Sequence, residues 1–346
     1  SFILFSTLRE IGTKPCIHGI SIEKVLDKKD NLIMKNIVFL DKSTFPKKVK
    51  FPKFKFKNKF KGYDFTDSSQ VISRIRKAHV IITNKIKLSG KDLSRAPYLE
   101  LIAITATGTN IIDLEYCKKN NISVCNLRNY ASTAVGEHVF TLILNLAKKI
   151  KGLEEDIGKY IWQERKVFAL LSHEIFELKG KTLGIIGKGS IGKKVAKIAK
   201  AFEMNILYFS VRKNNHKKLS SFLKKLDILS IHCPLNSSTN NLIKSKELNL
   251  LKKTSIIINT ARGGIVNEDD LVKAIKNGTI SGAGIDVTTK EPPNKQHPYY
   301  SVLKHPNFIW TPHTAWASNE TLQEAINQLI DNVNSFYSGN LKNIVK

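Results

Sequence analysis

The chain of 346 residues is poor in cysteine, in arginine and in long hydrophobic runs. Its four cysteines show neither CxxC spacing nor a paired framework, which is typical of a reduced cytoplasmic protein and not of a disulfide-stabilised secreted one. No apolar run approaches the ~20 residues that span a bilayer. The opening SFILFST lacks the basic flank of a signal peptide. We therefore expect a cytoplasmic protein with no membrane segment and no metal site.

Arginine and the acidic residues are both scarce beside lysine. Of 56 basic residues only eight are arginine, and 29 acidic residues leave a net charge of +27. Such a charge favours nucleic-acid binding where it is concentrated on one face, but here lysine is spread over the whole chain. Nucleic acid is therefore not an expected partner. In so lysine-rich a chain, each arginine becomes a candidate for a specific role.

The stretch 182–213 combines a strand, a glycine-rich turn and a helix. TLGIIG is a short apolar strand, GKGSIG runs from Gly187 to Gly192, and apolar residues then recur at helical spacing from Ile191 to Phe202. A GxGxxG turn between a strand and a helix is the pattern of a dinucleotide site. Its glycines permit a tight turn, close approach of a pyrophosphate and contact between helix and strand, and the helix N-terminus offers free N–H groups to the phosphates.

Apolar strands alternate with helical segments on both sides of this motif, which predicts an α/β protein with parallel sheets. The helices include a long one capped by Thr133, one from Asn267 to Gly278 and a last one from Ser318 to Gly339. Strands are predicted at 37–40, 78–84, 99–105, 122–127, 227–235, 254–264, 281–287 and 308–313.

The order of these elements predicts two domains. The segment before the first long helix has too few elements to complete a sheet layer, so we expect the C-terminal helix to return to it. The prediction is a Rossmann-type dinucleotide-binding domain, residues 132–314, inserted into a smaller flavodoxin-like substrate domain, residues 34–131 plus 315–346. Residues 1–33 show little periodicity and are expected to be an extension outside the fold.

Phenylalanines interleave with lysines between residues 45 and 61. Basic residues mixed with aromatic ones can bind single-stranded nucleic acid. The favoured interpretation is a surface segment whose phenylalanine side chains are tucked against the first domain.

Three charged residues follow predicted strands of the dinucleotide-binding domain. Arg262 lies in NTARGG, Glu291 in DVTTKEPP and His313 in TPHTAWAS. The carboxyl ends of parallel strands form the edge of the sheet at which ligands bind. An imidazole can exchange protons near neutral pH, a carboxylate can orient it, and an arginine can grip a carboxylate with two donors.

These motifs resemble the D-isomer-specific 2-hydroxyacid dehydrogenases from about Met34 to the C-terminus. The motifs that carry the resemblance are GKGSIG, HCPLNSSTNNLI, NTARGGIVNEDDL, GAGIDV with EPP after it, and TPHTAWAS. Within the family, ITNKIKL, ATGTN, IWQE and the tryptophan of HTAWAS are most similar to the glycerate dehydrogenase (hydroxypyruvate reductase) branch. The resemblance implies reduction of a small 2-oxo acid, hydroxypyruvate and also glyoxylate, to the D-2-hydroxy acid with NAD(P)H.

The resemblance also implies roles for individual residues. His313 would donate the proton, Glu291 would orient the imidazole ring of His313, and Arg262 would bind the substrate carboxylate. The residues expected to line the substrate site are Lys85, Ala106, Thr107, Gly108 and Trp316. The residues expected to contact the cofactor are Thr133, Gly187, Lys188, Gly189, Ser190, Ile191, Gly192, Ser210, Arg212, Lys213, Cys233, Pro234, Thr239, Thr260, Ala261 and Asp286.

One position departs from the pattern of NAD-preferring members. These carry an acid after the second strand to bind the ribose 2′-hydroxyl, whereas this chain has Ser210 there, with Arg212 and Lys213 just beyond. We therefore expect NADPH to be used at least as well as NADH.

Two other functions fit the same resemblance. A phosphoglycerate dehydrogenase without a regulatory domain would share the motifs, although the chain stops soon after its last predicted helix. A corepressor-like protein on this fold would act by binding partners and not by catalysis. The family also implies a homodimer.

Overall fold

The computed structural model describes residues 33–211 and 216–345, together with a short antiparallel pairing of Cys16–Ile17 with Ile20–Ser21. Almost all of the expected extension, and both Arg212 and Lys213, lie outside the described residues. The chain divides into two compact units, Ser1–Arg128 with Leu322–Lys346, and Asn129–Thr321. The domain boundaries predicted from the sequence differ from these by a few residues and remain a prediction.

The first unit contains a five-stranded parallel sheet. Its strands are β1 Lys35–Phe39, β2 Asn58–Gly62, β3 Val80–Thr83, β4 Leu101–Ile104 and β5 Ser123–Cys125. They are arranged in the order β2-β1-β3-β4-β5, with every neighbouring pair parallel. This is the flavodoxin-like strand order. The helices between them are α1 Val71–Ile75, α2 Gly90–Leu93 and α3 Leu114–Lys119, with 3-10 turns at Lys42–Thr44 and Ser68–Gln70.

Strand β2 was not predicted, because its sequence NKFKG alternates lysine with a single aromatic and lies at the exposed edge of the sheet. The interpretation of the preceding segment agrees with its packing. Phe45 is buried, and its ring lies 6.3 Å from that of Phe39 and 6.4 Å from that of Phe51, measured between centroids. Phe45 and Phe51 therefore form a cluster with Phe39 of β1, whereas Phe60 of the same segment is exposed.

The second unit contains a six-stranded parallel sheet. Its strands are β6 Thr182–Ile186, β7 Asn205–Phe209, β8 Ile228–Ile231, β9 Ile256–Asn259, β10 Gly282–Ile285 and β11 Phe308–Trp310. The order is β7-β6-β8-β9-β10-β11. The chain turns back after β7 and crosses to β8, so the strand order reverses between β6 and β8. In such sheets the crevice at this reversal is where a dinucleotide binds.

Helices surround the second sheet. They are α4 Ser132–Lys148, α5 Ile150–Gly158, α6 Ile161–Arg165, α7 Ser190–Ala201, α8 His216–Leu223, α9 Ser245–Leu248 and α10 Glu268–Lys276, with a 3-10 turn at Pro298–Val302. Thr133 does not cap α4, as the sequence suggested. The helix begins at Ser132 and no side chain caps it, so Thr133 lies inside the first turn. Asn267 does cap α10, because its side chain accepts a hydrogen bond from the amide of Asp270 at 3.0 Å.

The last helix, α11 Asn319–Tyr337, belongs almost entirely to the first unit. The amide of Arg128 donates to the side chain of Gln328, and the side chain of Asn332 donates to the carbonyl of Asn126. At its end, the Tyr337 hydroxyl donates to Glu100 at 2.6 Å. In the described part of the chain, no helix is both long enough and apolar enough to cross a bilayer.

Candidate active site

The three glycines after β6 have the three roles that a dinucleotide-binding turn requires. Gly187 has a φ of +102°, and a Cβ there would lie 2.5 Å from the carbonyl oxygen of His232. A Cβ on Gly189 would have nothing within 4 Å, whereas one on Gly192 would lie 2.1 Å from the oxygen of Gly187. Gly187 thus forms the turn, Gly192 brings α7 against β6, and Gly189 leaves open space in front of the helix.

That open space is flanked by groups that suit a phosphate. Ser190 and Ile191 begin α7, whose N-cap is Gly189 and has no capping side chain. The first amides of the helix therefore point outward as free donors, with the positive end of the helix dipole behind them. Lys188 is exposed beside the loop, and its ammonium lies 4.9 Å from the ring centroid of Tyr208 in β7. Ser210 is exposed and directly follows β7.

The ends of β8 and β9 border the same edge of the sheet. Cys233 follows β8 and is buried, which raises the pKa of its thiol to about 11, so the thiol stays protonated. The Thr239 hydroxyl donates to the carbonyl of Pro234 at 2.7 Å and fixes that turn. After β9, the amide of Ala261 donates to the side chain of Asn259.

Thr260 carries an unsatisfied polar atom. Within the described ranges, its Oγ1 is the one buried side-chain nitrogen or oxygen that lacks a hydrogen-bond partner. Buried hydroxyl groups normally find a partner, so an orphan at the ligand-binding edge of the sheet fits a contact with a ligand. Together with the open space at Gly189, this hydroxyl fits a nicotinamide dinucleotide.

His313 and Glu291 form a direct pair. His313 Nδ1 lies 2.5 Å from Glu291 Oε2, and Glu291 Oε1 accepts a hydrogen bond from the amide of Thr288 at 3.0 Å. Side chains of both residues remain partly exposed, 23% for His313 and 31% for Glu291. The pair is therefore held together and is still accessible to a substrate.

Asp286 holds the loop that carries His313. Its carboxylate accepts hydrogen bonds from the hydroxyl of Thr311 and from the amides of Thr314 and Ala315, at 2.5, 2.9 and 3.0 Å. The carbonyl of Asp286 also accepts the amide of His313. Asp286 is 1% exposed, and its predicted contact with the cofactor remains a prediction.

His138 of α4 is a member of this network that the sequence did not reveal. Its Nε2 lies 3.0 Å from the Thr311 hydroxyl and 3.7 Å from Asp286 Oδ1. Burial lowers the pKa of His138, although the nearby Asp286 opposes the shift. The ring therefore remains neutral at neutral pH and acts as a hydrogen-bonding group.

Arg262 lies on a loop that packs against the loop of Glu291. A Cβ on Gly263 would lie 1.9 Å from the carbonyl carbon of Thr288, so only glycine allows these two backbones to touch. The guanidinium of Arg262 donates to the carbonyl of Ala261 at 2.6 Å. The structure thus brings the neighbourhoods of Arg262, Glu291 and His313 together.

Two aromatic residues adjoin this trio. Trp316 Nε1 donates to the carbonyl of His313 at 3.1 Å, and its ring lies edge-on to Tyr130 at 6.4 Å between centroids. Burial raises the pKa of Tyr130 to about 12, while the charge of Arg262 opposes the rise. Tyr130 was not singled out from the sequence, because a tyrosine in the connection between a strand and a helix carries no local signal.

The remaining predicted substrate residues lie in the first unit, at the carboxyl ends of adjacent strands. Lys85 follows β3, and Ala106, Thr107 and Gly108 follow β4. The carbonyl of Thr107 accepts the Asn126 side-chain amide at 2.7 Å. Both segments are therefore at the ligand-binding edge of their own sheet.

Asp41, which follows β1, organises the turn after β3. Its buried carboxylate accepts the amides of Asn84 and Lys85, at 2.9 and 2.7 Å. Burial raises the pKa of Asp41, and these two amides oppose the rise. In the residues described, no group of three or more His, Cys, Asp or Glu side chains is arranged to hold a metal ion.

Comparison with known proteins agrees with this arrangement. Residues 140–315 match the model of the D-isomer specific 2-hydroxyacid dehydrogenase NAD binding domain. The chain is 38% identical over 314 residues to the glycerate dehydrogenase of Methylorubrum extorquens, covering 90% of this chain and 99% of that protein. It is 30% identical over 288 residues to the hydroxypyruvate reductase of Blautia hydrogenotrophica, covering 81% of this chain and 88% of the relative.

A solved structure extends the comparison to three dimensions. The D-lactate dehydrogenase of Aquifex aeolicus, complexed with NAD and lactic acid, matches with a TM-score of 0.73 and 30% sequence identity. The match covers 88% of this chain and 96% of that chain. The glycine turn, the paired His313 and Glu291, and these similarities lead to one assignment: the chain belongs to the D-isomer-specific 2-hydroxyacid dehydrogenases, which are nicotinamide-dependent oxidoreductases.

Proposed function

We propose that the protein reduces hydroxypyruvate, and also glyoxylate, to D-glycerate and glycolate with a reduced nicotinamide cofactor. The observation that carries the proposal is the 2.5 Å contact of His313 with Glu291 beside the loop of Arg262. The substrate assignment is supported by the similarity to a glycerate dehydrogenase and to a hydroxypyruvate reductase.

When bound, a reduced nicotinamide would supply the hydride that the carbonyl carbon of the 2-oxo acid accepts. The carbonyl oxygen then needs a proton, and His313 donates it from Nε2, because Nδ1 is engaged by Glu291. Glu291 fixes the orientation of the ring and favours its protonated form by its negative charge. In the reverse direction, the hydroxyl group of the 2-hydroxy acid would return its proton to the same nitrogen.

Arg262 is assigned to the substrate. Its planar guanidinium can donate to the carboxylate and to the carbonyl oxygen at once, which fixes the plane of the substrate and stabilises the charge that builds on that oxygen. We assign the amides of Ala106, Thr107 and Gly108 to the substrate carboxylate, and Lys85 and Trp316 to the walls of the substrate site.

The cofactor is assigned to the edge formed by the ends of β6 to β10. The amides of α7 and the open space at Gly189 suit the pyrophosphate, and the orphan hydroxyl of Thr260 suits a polar group of the dinucleotide. The other residues proposed to border it are Thr133, Gly187, Lys188, Ser190, Ile191, Gly192, Cys233, Pro234, Thr239, Ala261 and Asp286.

We further propose that NADPH is used at least as well as NADH. Ser210 places no negative charge against a 2′-phosphate, and the ammonium of Lys188 lies over the ring of Tyr208, two residues before Ser210. Ser210→Asp should lower kcat/KM for NADPH by about tenfold or more while preserving that for NADH. Ser210→Asn is the matched control, since it has the same shape without the charge. A wild-type preference for NADH of about tenfold would overturn the proposal.

The substrate proposal is tested by comparing kcat/KM for hydroxypyruvate, glyoxylate, pyruvate and phosphohydroxypyruvate with both reduced cofactors. Hydroxypyruvate should give the highest value. A higher value for phosphohydroxypyruvate would assign the protein to a phosphoglycerate dehydrogenase, and the absence of turnover with all four would favour a binding protein on this fold.

A homodimer is also proposed, and the segment 150–175 is its proposed interface. Large apolar side chains are exposed along it, including Phe168 at 99%, Leu171 at 85% and Tyr160 at 67%. Several large apolar side chains exposed along one segment favour an interaction site there. The double variant Phe168→Ser/Leu171→Ser should halve the mass measured by light scattering, whereas Phe65→Ser in the first unit should not change it.

The cysteine pattern favours the cytoplasm as the compartment of the protein.

A further inference from the structure

Glu268 contacts two points of the chain that lie on either side of Glu291. It is the first residue of α10, and its side chain is 14% exposed. One carboxylate oxygen accepts the amide of Thr289 at 2.7 Å, and the other lies 3.0 Å from Nε2 of His297. A single side chain therefore binds the loop both before and after the residue that pairs with His313.

The His297 contact is directional. Nδ1 of His297 accepts the amide of Tyr299 at 3.3 Å, so Nε2 carries a hydrogen and donates it to Glu268. The ring is nearly buried and lies against Trp310, with 5.4 Å between centroids. Trp310 is the last residue of β11, the strand that leads into the loop of His313. The contact thus connects the loop of Glu291 to the strand that precedes His313.

We propose that Glu268 is a positioning residue for the reaction, which holds the 288–293 loop so that the Glu291 carboxylate stays within hydrogen-bonding distance of His313. The inference rests on the proposed function, because it takes the His313–Glu291 pair to act in proton transfer. Glu268 itself touches neither member of the pair in the described contacts and acts through the backbone of Thr289.

Only a carboxylate of this length satisfies the site. Both groups that face Glu268 are donors, and a carboxylate offers two acceptor oxygens and no donor. A glutamine offers one acceptor and one donor, so whichever way its amide turns, one N–H group faces another. An aspartate is one methylene shorter and cannot reach both groups. Glu268→Gln therefore loosens one of the two attachments while almost preserving size.

The test is the pH dependence of kcat and kcat/KM for reduction by the Glu268→Gln variant. We expect kcat to fall about tenfold, as for other small displacements of a reacting group. The fall-off at alkaline pH should shift to lower pH, in the same direction as for Glu291→Gln. Cofactor affinity, measured by fluorescence, should stay within about twofold of wild type. The titratable groups that the described contacts place on His313 and its loop are Glu291, Asp286 and His138, and none of them is altered.

Asp269→Asn is the matched control. It removes the same charge from the first turn of the same helix, but Asp269 is exposed, so rate and pH profile should stay at wild-type values. Equal effects of the two variants would show that only the charge at the helix terminus matters, and would overturn the proposal.

A double variant shows whether Glu268 acts through Glu291. When Glu291→Gln is already present, adding Glu268→Gln should lower kcat by less than about twofold. A full further tenfold loss would overturn the inference, because Glu268 would then act on something else. If Glu291→Gln shifts the pH profile and Glu268→Gln does not, this inference fails while the proposed function stands. If Glu291→Gln itself causes no shift, both fail.

A second substitution that compensates for Glu268→Gln separates a loss of positioning from a general loss of stability. His297→Phe removes the donor but keeps a flat ring against Trp310, so glutamine at position 268 can then turn its oxygen to Thr289. The double variant Glu268→Gln/His297→Phe should recover at least about half of the lost kcat. No recovery in a folded double variant would overturn the proposal.

Discussion

The contact between His313 and Glu291 is determined by backbone groups more than by the two side chains. Thr288 gives its amide to Glu291, and Asp286 holds the amides of Thr314 and Ala315 beside His313. Hydrogen bonds of an ionised carboxylate to amides are strong and directional. Each side chain is therefore oriented before a substrate arrives, which removes a cost from the reaction step.

Glu291→Gln should shift the alkaline fall-off of reduction to lower pH without abolishing activity. A neutral amide can still accept a hydrogen bond from His313 but cannot favour the protonated ring by charge. The measurement is kcat/KM for hydroxypyruvate between about pH 6 and pH 10. An unchanged profile would show that Glu291 does not influence the proton donor.

Arg262→Lys should keep the positive charge and still lose most of the activity. An ammonium is a single donor on a flexible chain, so it cannot bind the carboxylate and the carbonyl oxygen in one plane. By analogy with the loss of one oxyanion donor, kcat should fall on the order of 10²–10³-fold, and KM should rise. Cofactor affinity should not change. Loss of cofactor binding, or retention of more than about half of kcat/KM, would contradict the assignment.

At the scale of elements, two glycines of the turn between β6 and α7 are needed for different reasons, one for folding and one for cofactor binding. Gly192 is needed because α7 touches the turn, whereas Gly189 faces open space. The φ of Gly189 is −76°, which any L-residue can adopt. The two positions should therefore respond differently to the same added methyl group.

Gly189→Ala should leave thermal stability unchanged and weaken cofactor binding, because the methyl group enters the space assigned to the pyrophosphate. Gly192→Ala should lower the melting temperature, because its Cβ would lie 2.1 Å from the oxygen of Gly187 and the helix must move. Overpacking of this kind costs typically about 1–3 kcal/mol. Differential scanning fluorimetry and cofactor fluorescence test both. Unweakened binding in Gly189→Ala would place the pyrophosphate elsewhere.

His232, in the loop after β8, should make the free energy of unfolding sensitive to acid. Burial lowers the pKa of His232, which is mostly buried, from 6.5 to about 3, and its Nε2 lies 2.8 Å from the Ser230 hydroxyl. As the pH falls below about 6.5, the unfolded chain takes up a proton that the folded chain does not, so stability is lost between about 6.5 and about 3. His232→Gln should flatten the decline of the melting temperature over this range. An unchanged decline would exclude His232 as a contributor.

At the scale of the whole molecule, the sequence predicted those features of the fold that depend on patterns within short stretches of the chain. The α/β class and the two parallel sheets are confirmed, because strand and helix patterns repeat within short windows. Strand β2 was missed, since its exposed edge has no apolar alternation. Asp41 and Glu268 were missed because their partners are 43 and 21 residues away, respectively. Contacts between loops leave no periodic signal in the sequence, so the residues that position the site could not be found from it.

Burial of the C-terminal helix α11 contributes a large part of the free energy that stabilises the first unit. Five large apolar residues of α11 are buried, namely Leu322, Ile326, Leu329, Ile330 and Val333. Each contributes about 1.5–3 kcal/mol on burial, or together roughly 8–15 kcal/mol. The net stability of a domain is only about 5–15 kcal/mol. The first unit should therefore be unable to fold when this helix is missing, although the helix is distant from the rest of the unit in sequence.

A chain that ends at Thr321 should consequently lose the first unit and keep the second. The fragment 129–321, which contains the complete six-stranded sheet and its own core, should fold cooperatively and quench the fluorescence of reduced cofactor as the full chain does, with no reductase activity. The chain ending at Thr321 should show the same single transition, with the amides of β1, β3 and β4 exchanging freely with deuterium. The full chain is the control. Protection of β1 in the shortened chain would show that the first unit folds without α11, and the insertion of one domain into the other would then have no role in its stability.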